Sequence, residues 1–204
     1  MTLESSVKMK ETITEILKEN NGILKASDAR LAGISYKELQ RLAEAGLLER
    51  ISHGLYISAS DIADDYLVAQ HKCGKGVYSH ETALYLLGLS DRVPLQLMMT
   101  IPSGYNTTLL KDKTTYRFFY CKPELHVVGV SMLASPHGND LRVYDRERTL
   151  CDCIKRKNAL DSDLVLTAIK RYMRESRSDL AKLLDYAETL KIRDTVRQYM
   201  EVLV

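Results

Sequence analysis

Apolar positions in the first part of the chain repeat with the period of amphipathic helices. A first helix over residues 6–20 is predicted from the apolar stripe Met9, Ile13, Ile16 and Leu17. Asn21-Gly22 follows it, a pair that readily adopts the left-handed conformation in which helices end. Ser27 is predicted to cap a short second helix over residues 28–32, which Gly33 stops.

A third helix is predicted to begin at Tyr36 and to end before Gly46. Ser35 and Glu38 have the S-x-x-E spacing of a capping box, in which each side chain accepts a backbone hydrogen bond of the other residue. Residues 47–59 then hold two short apolar segments around Ser52-His53-Gly54, the pattern of a β-hairpin. Two helices joined by a glycine turn and followed by a hairpin predict a winged helix-turn-helix over residues 1–60.

The rest of the chain predicts a mixed α/β domain over residues 61–204, which makes the whole chain α+β. Helices are expected over residues 61–71 and 80–88, the second capped by Ser79, and strands over 95–102, 114–121, 125–130 and 141–145. The runs Met-Met-Thr and Arg-Phe-Phe-Tyr lack simple alternation, so we expect strands buried on both faces in a small mixed or antiparallel sheet. Three amphipathic helices are predicted to close the domain.

Composition narrows the class of protein. The chain has 204 residues and a net charge of +2, from 29 Lys and Arg against 27 Asp and Glu, which excludes a histone-like polycation. The 4 cysteines do not form a disulfide framework, and the N-terminal segment lacks the apolar region of a signal peptide. No apolar run reaches the length of a membrane span, so a cytoplasmic location and no membrane partner are expected.

Three segments of the sequence resemble one protein family. GILKASDARLAGISYKELQRLAEAGLLERISHGLY is similar to the N-terminal domain of AbiEi-type antitoxins from bacterial abortive-infection systems, and VYSHETALYLLGLSD and VYDRERTLCDCI are similar to their second domain. The resemblance implies a phage-defence antitoxin that represses its own operon by binding inverted repeats in the promoter, with two copies on double-stranded DNA. It also implies action against a cognate nucleotidyltransferase-like toxin without a stable complex.

The predicted helix-turn-helix supplies candidate DNA contacts. The third helix would place its outward residues in the major groove, where Gln40 suits adenine and Lys37 or Arg41 suits guanine or phosphate. Arg50 and His53 in the hairpin would meet the backbone. Family members often carry a basic residue where this chain has His53, so a weaker or pH-sensitive wing contact is expected. The full set of candidates is Tyr36, Lys37, Gln40, Arg41, Arg50 and His53.

Two features leave alternatives open. Glu44 lies on the same stripe and would repel phosphate, and the whole stripe is also compatible with an ordinary solvated helix face. Likewise, the C-terminal helices carry either a second phosphate-contacting or antitoxin surface or only a solvated face. The residues of this possible second basic surface are Lys155, Arg156, Lys157, Lys170, Arg171, Arg174 and Arg177.

Enzymatic patterns are weak. Ser79, His80 and Glu81 are consecutive and do not form a triad, and Cys151-x-Cys153 has no second pair at metal spacing, so no catalytic residue, metal or cofactor is predicted. Arg148 and Asp152 are read as an ordinary helical ion pair. A nuclease targeted by a winged helix is the alternative. A nuclease of this kind would need clustered Asp, Glu and Lys on a central sheet to hold a divalent cation, whereas the strands here carry Met, Thr, Phe, Tyr and Val. A protein-interaction module without DNA binding is a third possibility.

The charge is distributed unevenly along the chain. Residues 1–58 hold 8 basic and 8 acidic residues, whereas residues 146–204 hold 13 and 10. Binding of DNA by the N-terminal domain therefore depends on where its cations stand, and the sequence predicts modest non-specific affinity.

Overall fold

A computed structural model describes residues 3–176 and 178–203, with side chains described over 7–176 and 178–201. The contacts divide the chain into two units, one of residues 1–72 with 134–139 and one of residues 73–133 with 140–204. Both are α+β, as the sequence predicts. The domain bounds drawn from the sequence, 1–60 and 61–204, remain a prediction.

The first unit is built on three helices and a small sheet. Its elements are α1 (Leu3–Glu19), β1 (Ile23–Lys25), α2 (Ala26–Leu31), α3 (Tyr36–Glu44), β2 (Leu48–Ser52), β3 (Leu55–Ser58) and α4 (Asp65–Lys72). The helices and the hairpin predicted for this region are present. The strand β1 was not predicted from the sequence. It pairs antiparallel with β3, which makes the strand order β1-β3-β2.

The core of the first unit explains which helix faces point inward. Leu39 and Leu42 of α3 pack with Ile13 of α1, Leu24 of β1 and Tyr56 of β3, all of them buried. Tyr56 is fully buried, so its side chain is part of this packing. Because α3 commits its apolar side to this core, its polar side is left facing solvent.

Buried Asp64 fastens residues 134–139 to the first unit. Its Oδ2 accepts hydrogen bonds from Ser135 Oγ at 2.6 Å and Asn139 Nδ2 at 2.9 Å, while Oδ1 accepts from Tyr66 N at 3.0 Å at the start of α4. The predicted start of this helix at residue 61 is therefore wrong by four residues. The chain enters the helix only where the Asp64 side chain can cap it.

The second unit holds a five-stranded mixed sheet flanked by helices. Its elements are β4 (Val77–Tyr78), α5 (His80–Leu86), β5 (Leu97–Pro102), β6 (Tyr116–Cys121), α6 (Pro123–His126), β7 (Val130–Ala134), β8 (Asp140–Tyr144), α7 (Arg146–Lys155), α8 (Ser162–Arg174), α9 (Leu180–Thr189) and α10 (Arg193–Leu203). The strand order is β6-β5-β4-β8-β7, with β4 antiparallel to β5 but parallel to β8, and β5 parallel to β6.

Two strand predictions for this unit are wrong. The segment 125–130 begins inside α6, because Pro123 fixes the first helical position, and the strand is β7, which begins at Val130. The prediction that the Arg-Phe-Phe-Tyr run is buried on both faces also fails, since β6 lies at the sheet edge and Tyr120 is 50% exposed. In contrast, β5 lies inside the sheet and is buried from Met98 onward.

The two serines predicted as helix caps behave differently. Ser35 accepts a hydrogen bond from Glu38 N at 3.3 Å, and Ser35 N donates to Glu38 Oε2 at 2.8 Å, which confirms the capping box. Ser27 instead lies inside α2, whose N-cap residue is Lys25, and its hydroxyl donates to Asp28. The prediction that Ser27 caps α2 is therefore wrong.

This difference gives a matched pair of variants. We expect Ser35→Ala to destabilise α3 by about 1 kcal/mol, because an N-cap hydroxyl is lost, and Ser27→Ala to leave it unchanged. Hydrogen exchange of the α3 amides measures the effect locally. Equal loss of protection in both variants would contradict a capping role for Ser35.

Candidate nucleic-acid interface

The exposed side of α3 gathers most of the residues predicted to read DNA. Lys37, Gln40 and Arg41 are all exposed, and Tyr36 at the start of the helix is 43% exposed. Glu44, the last residue of the helix, is exposed as well. Lys37 lies in the first turn of α3 and Arg41 in the last, so the cations of this side are spread along the helix. In helix-turn-helix proteins the N-terminal residues of the recognition helix contact the bases, which is the end that carries Lys37.

The hairpin is joined to α3 by a contact between Arg50 and Tyr36. The guanidinium carbon of Arg50 lies 5.9 Å from the centre of the Tyr36 ring. Arg50 also donates to His53 Nδ1 at 3.2 Å and to the Ser52 carbonyl oxygen at 3.3 Å. The structure therefore brings Tyr36, Arg50 and His53 into one exposed patch beside the α3 stripe.

The capping box also sets the charge at the start of α3. Two hydrogen bonds from Ser35, the first from its backbone N–H and the second from its hydroxyl, hold the pKa of Glu38 below its usual value, and the Arg41 guanidinium lowers it further. Glu38 is therefore ionised and engaged with the helix terminus. Its carboxylate is directed to Ser35 rather than left free to repel phosphate.

The structure adds groups around the hairpin turn that sequence analysis missed. Exposed Lys25 pairs in register with Leu55, next to the turn, because β1 extends the sheet. His71 Nε2 lies 3.4 Å from the His53 carbonyl oxygen. Periodicity could not reveal these neighbours, since β1 has only three residues and His71 is 18 positions from His53.

The residues of the possible second basic surface have different surroundings, and their joint role remains a prediction. Lys170, Arg171 and Arg174 are exposed on α8, where Arg171 pairs with Asp91 at 3.0 Å. Lys155 donates to the Leu190 carbonyl oxygen at 3.0 Å, and Lys155 and Arg156 line a cavity to which no α8 residue contributes. The Lys157 ammonium lies 5.6 Å from the Tyr199 ring centre. Arg177 lies outside the described residues.

The charged segment at the start of α7 forms an internal network. Asp145 caps α7 by accepting from Arg148 N at 2.9 Å, and Glu147 accepts from the Tyr172 hydroxyl at 2.7 Å. Lys182 bridges both carboxylates at 3.0 and 3.3 Å. Every member thus has a structural partner.

Ser79 and His80 are placed differently from the sequence prediction. Ser79 is the N-cap residue of α5 but makes no capping hydrogen bond; its hydroxyl lies 2.9 Å from His80 Nδ1 and accepts from Thr100. Both side chains are buried, and the His80 ring stacks on Phe119 at 3.6 Å. Burial first, and then the charges of nearby arginines, lower the pKa of His80 to about 3. At neutral pH this imidazole is therefore uncharged and a poor general base.

Comparison with known families relates part of the first unit to one family. Residues 11–59, which contain α2, α3 and the hairpin, match the family described as transcriptional regulator, AbiEi antitoxin. This segment is similar to the AbiEi antitoxins. The description of that family names a role as an antitoxin and transcriptional regulator.

Comparison with solved structures relates the chain to a known fold. The crystal structure of the RV2827C protein from Mycobacterium tuberculosis matches with a TM-score of 0.61 and 11% identity, over 92% of this chain and 77% of that one. At this identity the match shows the fold alone. No curated protein sequence matches the chain. No helix in the described part of the chain could span a membrane.

Proposed function

We propose that this protein is an AbiEi-type antitoxin that represses its own operon through a winged helix-turn-helix, with α3 in the major groove of promoter DNA. The observation that carries the proposal is the exposed polar side of α3, with Lys37 and Arg41, and its link to the hairpin through the contact of Tyr36 with Arg50. Arg50 in turn donates to His53. Gln40 pairs with adenine, and Lys37 or Arg41 with guanine or phosphate. Tyr36 orients Arg50 toward the backbone.

The operator in this proposal contains inverted repeats, because two copies of an asymmetric reading unit bind sites related by a two-fold axis. The second unit counteracts the cognate nucleotidyltransferase-like toxin in phage defence without forming a stable complex with it. Because the charges of residues 1–58 balance, the affinity for DNA comes from individual contacts of positioned side chains rather than from a net positive charge.

Removing the two α3 cations tests the proposal. In a gel-shift assay on the DNA upstream of the gene, we expect Lys37→Ala with Arg41→Ala to weaken binding about 100-fold, since each lost contact is worth about 1 to 3 kcal/mol. The dependence of log affinity on log salt should also become shallower, by about 1 for each phosphate contact removed.

The matched control removes the same charge from the same unit. Lys10→Ala with Lys18→Ala changes two exposed lysines of α1 and should reduce affinity only a few-fold. If the α3 variant binds like the wild type, α3 is not the recognition helix. The α3 variant should still protect cells from the cognate toxin, because the proposal assigns that activity to the second unit.

A further inference from the structure

A cavity in the second unit has an unusually basic lining. It has a volume of about 380 Å³, within the range of small-molecule sites. Its described lining contains five cations and one carboxylate: Lys122, Arg148, Lys155, Arg156, Lys191 and Asp152. Every lining residue belongs to the second unit.

Two of these cations are already engaged. Arg148 is buried and pairs with Asp152 at 3.1 Å, so the only carboxylate of the lining is neutralised from within. Lys155 donates to the Leu190 carbonyl oxygen. Three exposed cations remain, and none has an ion-pair partner among the described residues: Lys122, Arg156 and Lys191.

The three cations come from separate parts of the chain. Lys122 precedes α6, Arg156 follows α7, and Lys191 follows α9. Cations beyond helix C-terminal ends are common because of the helix dipole, which accounts for Arg156 and Lys191 separately. It does not account for Lys122, which stands at a helix N-terminal end, or for the convergence of all three on one cavity.

The charge of Arg156 acts on the inner wall of the cavity. His80 contributes to that wall, and after burial the largest cause of its depressed pKa is the charge of Arg156. Like charges brought together in a partly enclosed space repel one another more strongly than in water. An anionic ligand would relieve this repulsion.

The apolar part of the lining narrows the class of anion. Tyr120 is half-exposed on the edge strand β6, and Leu125 and Leu190 also line the cavity. An exposed tyrosine ring offers a stacking surface for a nucleobase. Three cations match the charge of a diphosphate or triphosphate group.

From this geometry we infer that the cavity binds a nucleoside polyphosphate, with its phosphates on Lys122, Arg156 and Lys191 and its base against Tyr120. The site shares no residue with the proposed DNA-reading surface. Ligand binding and operator binding can therefore be tested independently.

Isothermal titration calorimetry of the full chain with ATP, pyrophosphate and adenosine tests the inference. ATP should bind most tightly, pyrophosphate more weakly, and adenosine not measurably at the same concentrations. We expect Arg156→Gln with Lys191→Gln to weaken ATP binding at least tenfold, because charge-assisted hydrogen bonds are lost. Circular dichroism checks that the variant is folded, and its operator binding should be unchanged.

The control variant Lys170→Gln with Arg174→Gln removes two exposed cations of α8 that do not line the cavity, and it should bind ATP like the wild type. No ATP binding by the wild type, or equal weakening in both variants, would overturn the site. Pyrophosphate binding as tightly as ATP would overturn its assignment to a nucleotide.

Discussion

Replacing Arg148 by Met is expected to destabilise the second unit by about 3 to 5 kcal/mol, as measured by chemical denaturation. The Arg148 side chain is 1% exposed, and its Nε pairs with Asp152 at 3.1 Å. Its Nη1 donates to the carbonyl oxygens of Leu125 at 2.7 Å and Val128 at 2.8 Å. Methionine fills similar space but leaves a buried carboxylate and two carbonyl groups without these donors.

The pH dependence of this variant provides a second readout. Burial already raises the pKa of Asp152 above its usual value, although the Arg148 charge opposes the rise. Without the guanidinium the folded-state pKa rises further, while the unfolded-state pKa does not change. A carboxyl group with a raised folded-state pKa stabilises the protein at low pH, and this contribution is lost as the pH rises through that pKa. The variant should therefore be destabilised less, relative to the wild type, near pH 4 than at neutral pH.

Two further variants separate the buried charge from other causes. Arg92→Met breaks an ion pair with Asp161 whose side chains are 58% and 40% exposed, and it should cost no more than about 1 kcal/mol. Arg148→Met with Asp152→Asn removes both charges and should be more stable than Arg148→Met alone. If the double variant is less stable than the single one, the unpaired carboxylate is not the main cost.

The first unit could be predicted from local sequence signals because its helix boundaries are local. Ser35 and Glu38 are three residues apart, and Gly33 and Gly46 have positive φ at the turns where the sequence places them. The strand β1 could not be predicted in the same way. Three residues are too few for a period, and they become a strand only because β3 lies beside them.

The second unit departs from its predictions wherever long-range packing decides the outcome. The spacing of Arg148 and Asp152 predicts an ordinary helical ion pair, but it does not reveal that the pair is buried. The burial of Arg148 depends on Leu125, Val128 and Tyr144, whose ring lies 4.3 Å from the guanidinium carbon. Similarly, apolar composition could not distinguish interior β5 from edge strand β6, because only the strand order does so.

The same limit applies to the candidate sites. The α3 stripe could be read from the sequence, since one helix presents all of its members. Its link to the hairpin through Arg50 and Tyr36 was not predicted, because it depends on how the sheet packs on α3. The basic cavity had only a partial sequence signal in Lys155 and Arg156, and Lys122 and Lys191 join them through the tertiary fold.

Gly129→Ala is expected to destabilise the second unit by about 3 to 4 kcal/mol. Gly129 has a φ of +77°, a conformation that costs a residue with a Cβ roughly 1 to 2 kcal/mol. A Cβ placed there would also lie 2.7 Å from Arg148 Cβ and 3.0 Å from Arg148 Cγ, and overpacking of this kind costs about 1 to 3 kcal/mol. Arg148 cannot easily move away, because it donates hydrogen bonds to Asp152 and to the carbonyl oxygens of Leu125 and Val128.

The control for this prediction is Gly88→Ala, which separates the backbone cost from the steric one. Gly88 has a φ of +70°, but a Cβ there would meet nothing within 4 Å. Its replacement should therefore cost only the backbone share, about 1 to 2 kcal/mol by chemical denaturation. Equal losses in the two variants would mean that the close approach of Gly129 to Arg148 is easily relaxed. A larger loss for Gly129→Ala identifies this contact as the reason that the chain requires glycine between α6 and β7.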